Sequence, residues 1–89
     1  MPLAEVPPFM IHVKFFASVR ERIGMGEISL PMPEGGATVA DVLALAEGEA
    51  GVVLQGAHLL AAVNLRHVPF SDVVRDGDEV AFFPPVTGG

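Results

Sequence analysis

The sequence closes on Asp76-Gly77-Asp78-Glu79-Val80-Ala81-Phe82-Phe83-Pro84-Pro85-Val86-Thr87-Gly88-Gly89, which reads in order as a turn, a strand and a tail. Asp-Gly-Asp is turn chemistry, because Gly supplies positive φ and Asp side chains bond nearby backbone. Glu79 to Phe83 reads as the last strand, in which Val80 and Phe82 share one face, Ala81 and Phe83 the other. Pro84 and Pro85 have no N–H to donate, so they end the strand and send the chain outward as an extended arm. Gly88 and Gly89 have no Cβ and admit close approach of another backbone. A Gly-Gly carboxyl end can therefore enter a long, narrow active site and react through its carboxylate. Terminal glycines also occur in frayed ends, so the residues upstream decide what this tail is for.

Working back, Met10 to Ala17 alternates in the same way, with Ile11, Val13, Phe15 and Ala17 on one face and His12, Lys14 and Phe16 on the other. The first face is the core face. Phe16 is then an aromatic on an otherwise polar surface, and Phe83 is the matching aromatic of the last strand. Val19 to Ile23 reads as a short helical turn closed by Gly24, Glu27 to Leu30 as a strand, and Pro31 to Gly36 as a loop. Thr38 and Asp41 form a capping-box start with Asp in place of Glu or Gln. Val39, Val42, Leu43 and Ala46 follow on one helical stripe, and Gly48 and Gly51 mark the helix end. Leu59 to Leu65 reads as a strand, Asn64 starts a turn, and a short strand runs around Arg66 to Val68.

This pattern predicts an α+β fold, a sheet with one main helix packed on one face. Strand order stays open on pattern alone. The predicted core is Ile11, Val13, Phe15, Val42, Leu43, Leu60, Val80 and Phe82. Residues 1–9 carry three prolines and no periodicity, and read as a flexible arm. The folded domain spans 10–83 and the extended tail 84–89.

At 89 residues the chain makes one small domain. A domain of this size buries only about 60–65% of its unfolded surface, so its own stability is modest. Hydrophobic residues make up 51% and charged residues 18%, a composition that packs rather than stays disordered. The formal charge of −6 argues against nucleic acid as a partner and suits docking on a basic protein face. There is no cysteine, which excludes disulfides, thiolate metal sites and cysteine nucleophiles. No apolar run reaches the ~18 residues of a membrane span and no export signal is evident, so the expected location is cytoplasmic.

Other candidate chemistry is thin. His12, His58 and His67 lack metal-ligand spacing. Gly24-Met25-Gly26 and Gly35-Gly36 lack the strand-to-helix setting and the Lys of a phosphate loop. Asp76 and Asp78 flank a turn glycine, their ordinary use. Ser18 and Ser71 have no partner histidine at a suggestive spacing. Lys14 is the only lysine, which disfavours polymer building through lysine acceptors.

The run from Asp76 to Gly89, with Leu59-Leu60-Ala61-Ala62-Val63-Asn64 and Ile11-His12-Val13-Lys14-Phe15-Phe16-Ala17-Ser18-Val19-Arg20-Glu21, resembles the small, sulfur-carrying subunits of molybdopterin synthase. That family has a ubiquitin-like β-grasp fold, and the resemblance implies first and last strands as parallel neighbours in mid-sheet. The Phe-Phe-Pro-Pro-Val-Thr-Gly-Gly string is its specific part. A bare Gly-Gly would also suit thiamine-pathway (thiazole) sulfur carriers and ubiquitin-like protein modifiers.

The resemblance implies that an ATP-dependent adenylating enzyme activates the Gly89 carboxylate. A sulfurtransferase system then makes a terminal thiocarboxylate, and the large synthase subunit directs its sulfur onto a pyranopterin precursor. Gly88 and Gly89 carry the chemistry, Pro84, Pro85, Val86 and Thr87 lead them, and Phe16 and Phe83 dock the body. His67 flanks that patch, where the family tends to carry an apolar residue. No cofactor is bound; the adenylate is transient. Catalytic side chains fall to the large subunit, and two sulfurs per dithiolene imply a heterotetramer around a large-subunit dimer.

Overall fold

The computed structural model describes residues 10–54 and 58–85. Nine elements follow in chain order: β1 (Met10–Phe15), α1 (Ala17–Ile23), β2 (Glu27–Pro31), β3 (Ala37–Thr38), α2 (Val39–Ala50), β4 (Leu60–Val63), β5 (Arg66–Val68), β6 (Val73–Val74) and β7 (Glu79–Phe83). Five strands form one sheet in the order β2-β1-β7-β4-β5. β1 and β7 are parallel, and the other neighbours are antiparallel. The first and last strands thus lie side by side within the sheet, as expected. The expected tail residues 86–89 and arm 1–9 lie outside the described residues.

Alternation in β1 and β7 builds the core. Ile11, Val13, Phe15, Val80 and Phe82 are fully or almost fully buried, and Val13 pairs with Val80 and Phe15 with Phe82. The Phe15 and Phe82 rings stack at 6.4 Å, and Phe70 closes on Phe82 at 6.0 Å. α2 lays Val39, Val42 and Ala46 on this layer, all completely buried, at the spacing of one helical face. The start of α2 is fixed by a reciprocal cap. Thr38 Oγ1 accepts from the Asp41 N–H at 3.2 Å, and the Asp41 carboxylate accepts from the Thr38 N–H at 3.0 Å. Gly51 caps the other end in the left-handed region, so Gly48 lies inside the helix rather than at its end.

Several expectations need correction. β1 stops at Phe15, and Ala17 is an exposed first residue of α1 rather than a core strand residue. The break is imposed by α1, which buries Val19 and Ile23 four residues apart and needs a non-helical cap before it. Leu43 is half-buried at the border of the core. Leu60, counted as core, is 37% exposed, whereas Ala61 is buried. In a run of four apolar residues both parities read alike, and the register sets Ala61 opposite Phe82. The two-stranded sheet of β3 and β6 was not evident in the sequence; pairs this short leave almost no periodicity.

β4 and β5 form a hairpin whose two turn residues, Asn64 (φ 51°) and Leu65 (φ 72°), are both left-handed, the geometry of a type I′ turn. Asn64 ties the turn to the start of β7. Its N–H donates to the Glu79 carbonyl at 2.8 Å, and its side chain accepts from the Glu79 N–H at 3.0 Å and donates to the Asp78 carboxylate at 2.9 Å. Among the described residues, no helix is long and apolar enough to cross a membrane.

Candidate functional site: the sheet face at the root of the tail

The sheet has a second face, turned away from the buried layer, and its strands present it by simple parity. From β7 it takes Glu79, Ala81 and Phe83, from β4 Leu60 and Ala62, from β1 His12 and Lys14, and from β5 His67. The face divides by chemistry. On the β2–β1 side it is polar: Lys14 faces Glu79 at 3.6 Å, and Ser29 Oγ lies 3.3 Å from His12 Nδ1. Both members of the ion pair are more than one-third exposed, so the pair adds little stability. On the β7–β4 side it is apolar. Leu60 stands opposite Phe83, and Ala62 stands opposite both Ala81 and His67.

Phe83 is half-buried rather than open, because the His67 ring packs edge-on against it with centroids 5.2 Å apart. His67 itself is exposed. Phe16 is 48% exposed, but it lies past the end of β1 as the cap residue of α1. Its N–H donates to the Phe82 carbonyl at 3.2 Å, which holds it beside the end of β7. The expected Phe16–Phe83 aromatic pair is thus replaced by a His67–Phe83 pair, with Phe16 at the border. Leu60 is the residue of this face that sequence reading missed; its signal is the register with Phe83, which becomes visible only once β4 pairs with β7.

Pro84 and Pro85 follow Phe83 outside any strand. The candidate leader residues Val86 and Thr87 and the candidate reacting residues Gly88 and Gly89 lie outside the described residues. The arrangement therefore places an apolar patch of Phe83, Leu60, Ala81 and Ala62 at the point where the chain leaves the sheet toward its Gly-Gly end. Among the described residues, no three His, Cys, Asp or Glu side chains are grouped to hold a metal ion.

A mixed sheet with parallel first and last strands, a helix packed across one face and a proline-led Gly-Gly end define a ubiquitin-like β-grasp protein of the carrier type. The ThiS family model matches residues 13–89, and the chain belongs to that family. It is 46% identical over 82 residues to the molybdopterin synthase sulfur carrier subunit of Escherichia coli, covering 90% of this chain and all of that one. The subunit of the same name from Haemophilus influenzae is 42% identical over 81 residues, again across 90% of this chain and all of the relative. Among solved structures, SAMP1, a small archaeal modifier protein from Haloferax volcanii, superposes with a TM-score of 0.71 at 29% identity, covering 90% of this chain and 99% of its own.

Proposed function

We propose that this chain is the sulfur-carrier subunit of a molybdopterin synthase. The observation that carries the reading is the continuity of β7 with the tail: Phe83, in the apolar patch, is followed directly by Pro84 and Pro85 on the way to Gly88 and Gly89. Identity to sulfur carrier subunits along their whole length supports it. Body and tail divide the work. The patch of Phe83, Leu60 and Phe16 docks on the large subunit, and residues 84–89 reach into its active site.

The chemistry runs through the terminal carboxylate because no cysteine is available to hold sulfur. A free carboxylate is a poor electrophile, so it must be activated. Its oxygen attacks the α-phosphorus of ATP in an adenylating enzyme and pyrophosphate leaves. Sulfide-level sulfur, delivered as hydrosulfide by a sulfurtransferase system, attacks the acyl carbon, AMP leaves, and a thiocarboxylate remains on Gly89. That sulfur then attacks a carbon of the pyranopterin precursor in the large subunit as a carbon–oxygen bond there breaks, its oxygen leaving as phosphate oxygen or water, and a thioester joins carrier and precursor. Hydrolysis of the resulting acyl link regenerates the carboxylate. Two carriers per cycle supply the two dithiolene sulfurs, which suits a heterotetramer. The glycines permit this passage because a Cβ near the carboxylate would widen the tail.

The similarity to a small archaeal modifier protein favours a second reading, transfer of the same activated end to lysines of other proteins. Intact-mass analysis of the chain isolated from cells separates the two. Replacement of one terminal oxygen by sulfur is the expected result. Branched adducts joining Gly89 to lysines, with no thiocarboxylate, would replace the carrier reading with the modifier one.

A further inference from the structure

His67 is a polar, titratable side chain inside the apolar half of the docking face. Its ring touches Phe83 edge-on at 5.2 Å, and its strand position is opposite Ala62, which is only 7% exposed. A surface that covers the outer side of Phe83 and Leu60 therefore covers at least one side of the imidazole as well. Among the described residues no hydrogen bond engages that ring, so a docked partner must satisfy it or leave it buried without one. A buried donor left unpaired keeps its full desolvation penalty, which separates a partner that answers it from one that does not.

On β7 the ring contacts Phe83, and on β4 its strand position faces Ala62; neither residue is charged. Arg66 precedes it on β5, and Asp72 lines the same depression, so charges of both signs border that depression. Desolvation by an apolar partner surface then decides, and it disfavours the cation.

We infer that His67 is a specificity-determining residue of the docking face, selecting a partner surface that offers an uncharged hydrogen-bond acceptor, such as a backbone carbonyl, to a neutral imidazole. This rests on the sulfur-carrier reading, in which that partner is the large synthase subunit. Its consequence is directional. Docking must release a proton from any protonated His67, so affinity falls on acidification.

The test is calorimetric titration of the full chain, His67→Leu and His67→Gln into the large subunit from the same organism, between pH 5.5 and 8. The ratio of wild-type to variant affinity is read at each pH, which cancels titrations on the partner. Thermal melts of each variant confirm folding, and His67→Gln serves if His67→Leu is poorly soluble. The expected result is a ratio that drops on the order of tenfold from pH 8 to 5.5, with each variant flat against the other. A ratio constant with pH, or one that rises on acidification as a partner carboxylate would require, overturns the inference alone. Absence of wild-type binding at every pH overturns the sulfur-carrier reading and the inference with it.

Discussion

Leu60 and Phe83 stand directly opposite each other across the antiparallel β4–β7 pair, on the face turned away from the core. Two large apolar side chains paired there, with the tail leaving one residue later, make the centre of the proposed docking surface. Phe83→Ala should weaken binding of the large subunit by about 2 kcal/mol or more, the size of an interface hot spot. Leu60→Ala should weaken it by less, because Leu is seldom a hot spot. The midpoint of thermal unfolding should barely move in either variant, since neither side chain belongs to the layer of Phe15 and Phe82. A marked drop in melting temperature with affinity unchanged would make Phe83 a core residue.

The sequence showed this face only in part, for physical reasons. In β1 polar and apolar residues alternate, so parity separates Phe15 from Lys14 without any structure; in β7 only Glu79 is polar, and it alone sets Val80 and Phe82 on the opposite face. In Leu59-Leu60-Ala61-Ala62 every residue is apolar, and only pairing with β7 distinguishes Leu60, outside, from Ala61 beneath Phe82. The cap of Thr38 and Asp41 was legible because its signal is local. The β3–β6 pair was not, because two residues per strand carry no period. Phe16 followed the parity of β1 but left the strand, since the Val19 and Ile23 stripe of α1 ended the strand two residues earlier than alternation implied. The tail chemistry was readable as composition: two prolines, two glycines and no cysteine.

The turn that joins β4 to β5 holds opposing local preferences. Asn64 tolerates positive φ and makes three hydrogen bonds to Asp78 and Glu79, whereas Leu65 adopts φ 72° with its side chain 89% exposed. Asn64→Ala should cost about 1–3 kcal/mol, combining lost hydrogen bonds with a left-handed alanine. Leu65→Gly should stabilise by about 0.5–1 kcal/mol, since relief of the left-handed penalty outweighs the added freedom of the unfolded chain. Urea denaturation of the two variants reads both signs. A destabilised Leu65→Gly would mean that the leucine makes contacts worth more than its backbone strain.

Helix α2 depends on its first turn for registration against the sheet. Thr38→Ala removes the acceptor for the Asp41 N–H and breaks the reciprocal cap, at a cost of about 1 kcal/mol. Thr38→Ser keeps the hydroxyl and should lie within about 0.5 kcal/mol of the parent. Both values come from chemical denaturation midpoints at constant slope. A Thr38→Ala variant as stable as the parent would show that packing of Val39, Val42 and Ala46 alone sets the helix start.

The last residue tests the separation of affinity from reactivity. Deletion of Gly89 shortens the tail by roughly 3.5 Å of extended chain, withdrawing the carboxylate from both the adenylating site and the large-subunit site. It leaves Phe83, Leu60 and His67 untouched on the sheet, so binding of the large subunit should stay within about 0.5 kcal/mol of the parent, the scale of a change distant from the contact. Sulfur transfer, followed as dithiolene formation in a reconstituted synthase, should be abolished. Gly89→Leu should fail in the same assay for a different reason: its side chain widens the tail at the reacting carbon, where only a Cβ-free residue passes a narrow channel. A carrier lacking Gly89 that is still adenylated and delivers sulfur at the parent rate would show that the reacting group lies elsewhere, and the division between docking body and reactive tail would have to be abandoned.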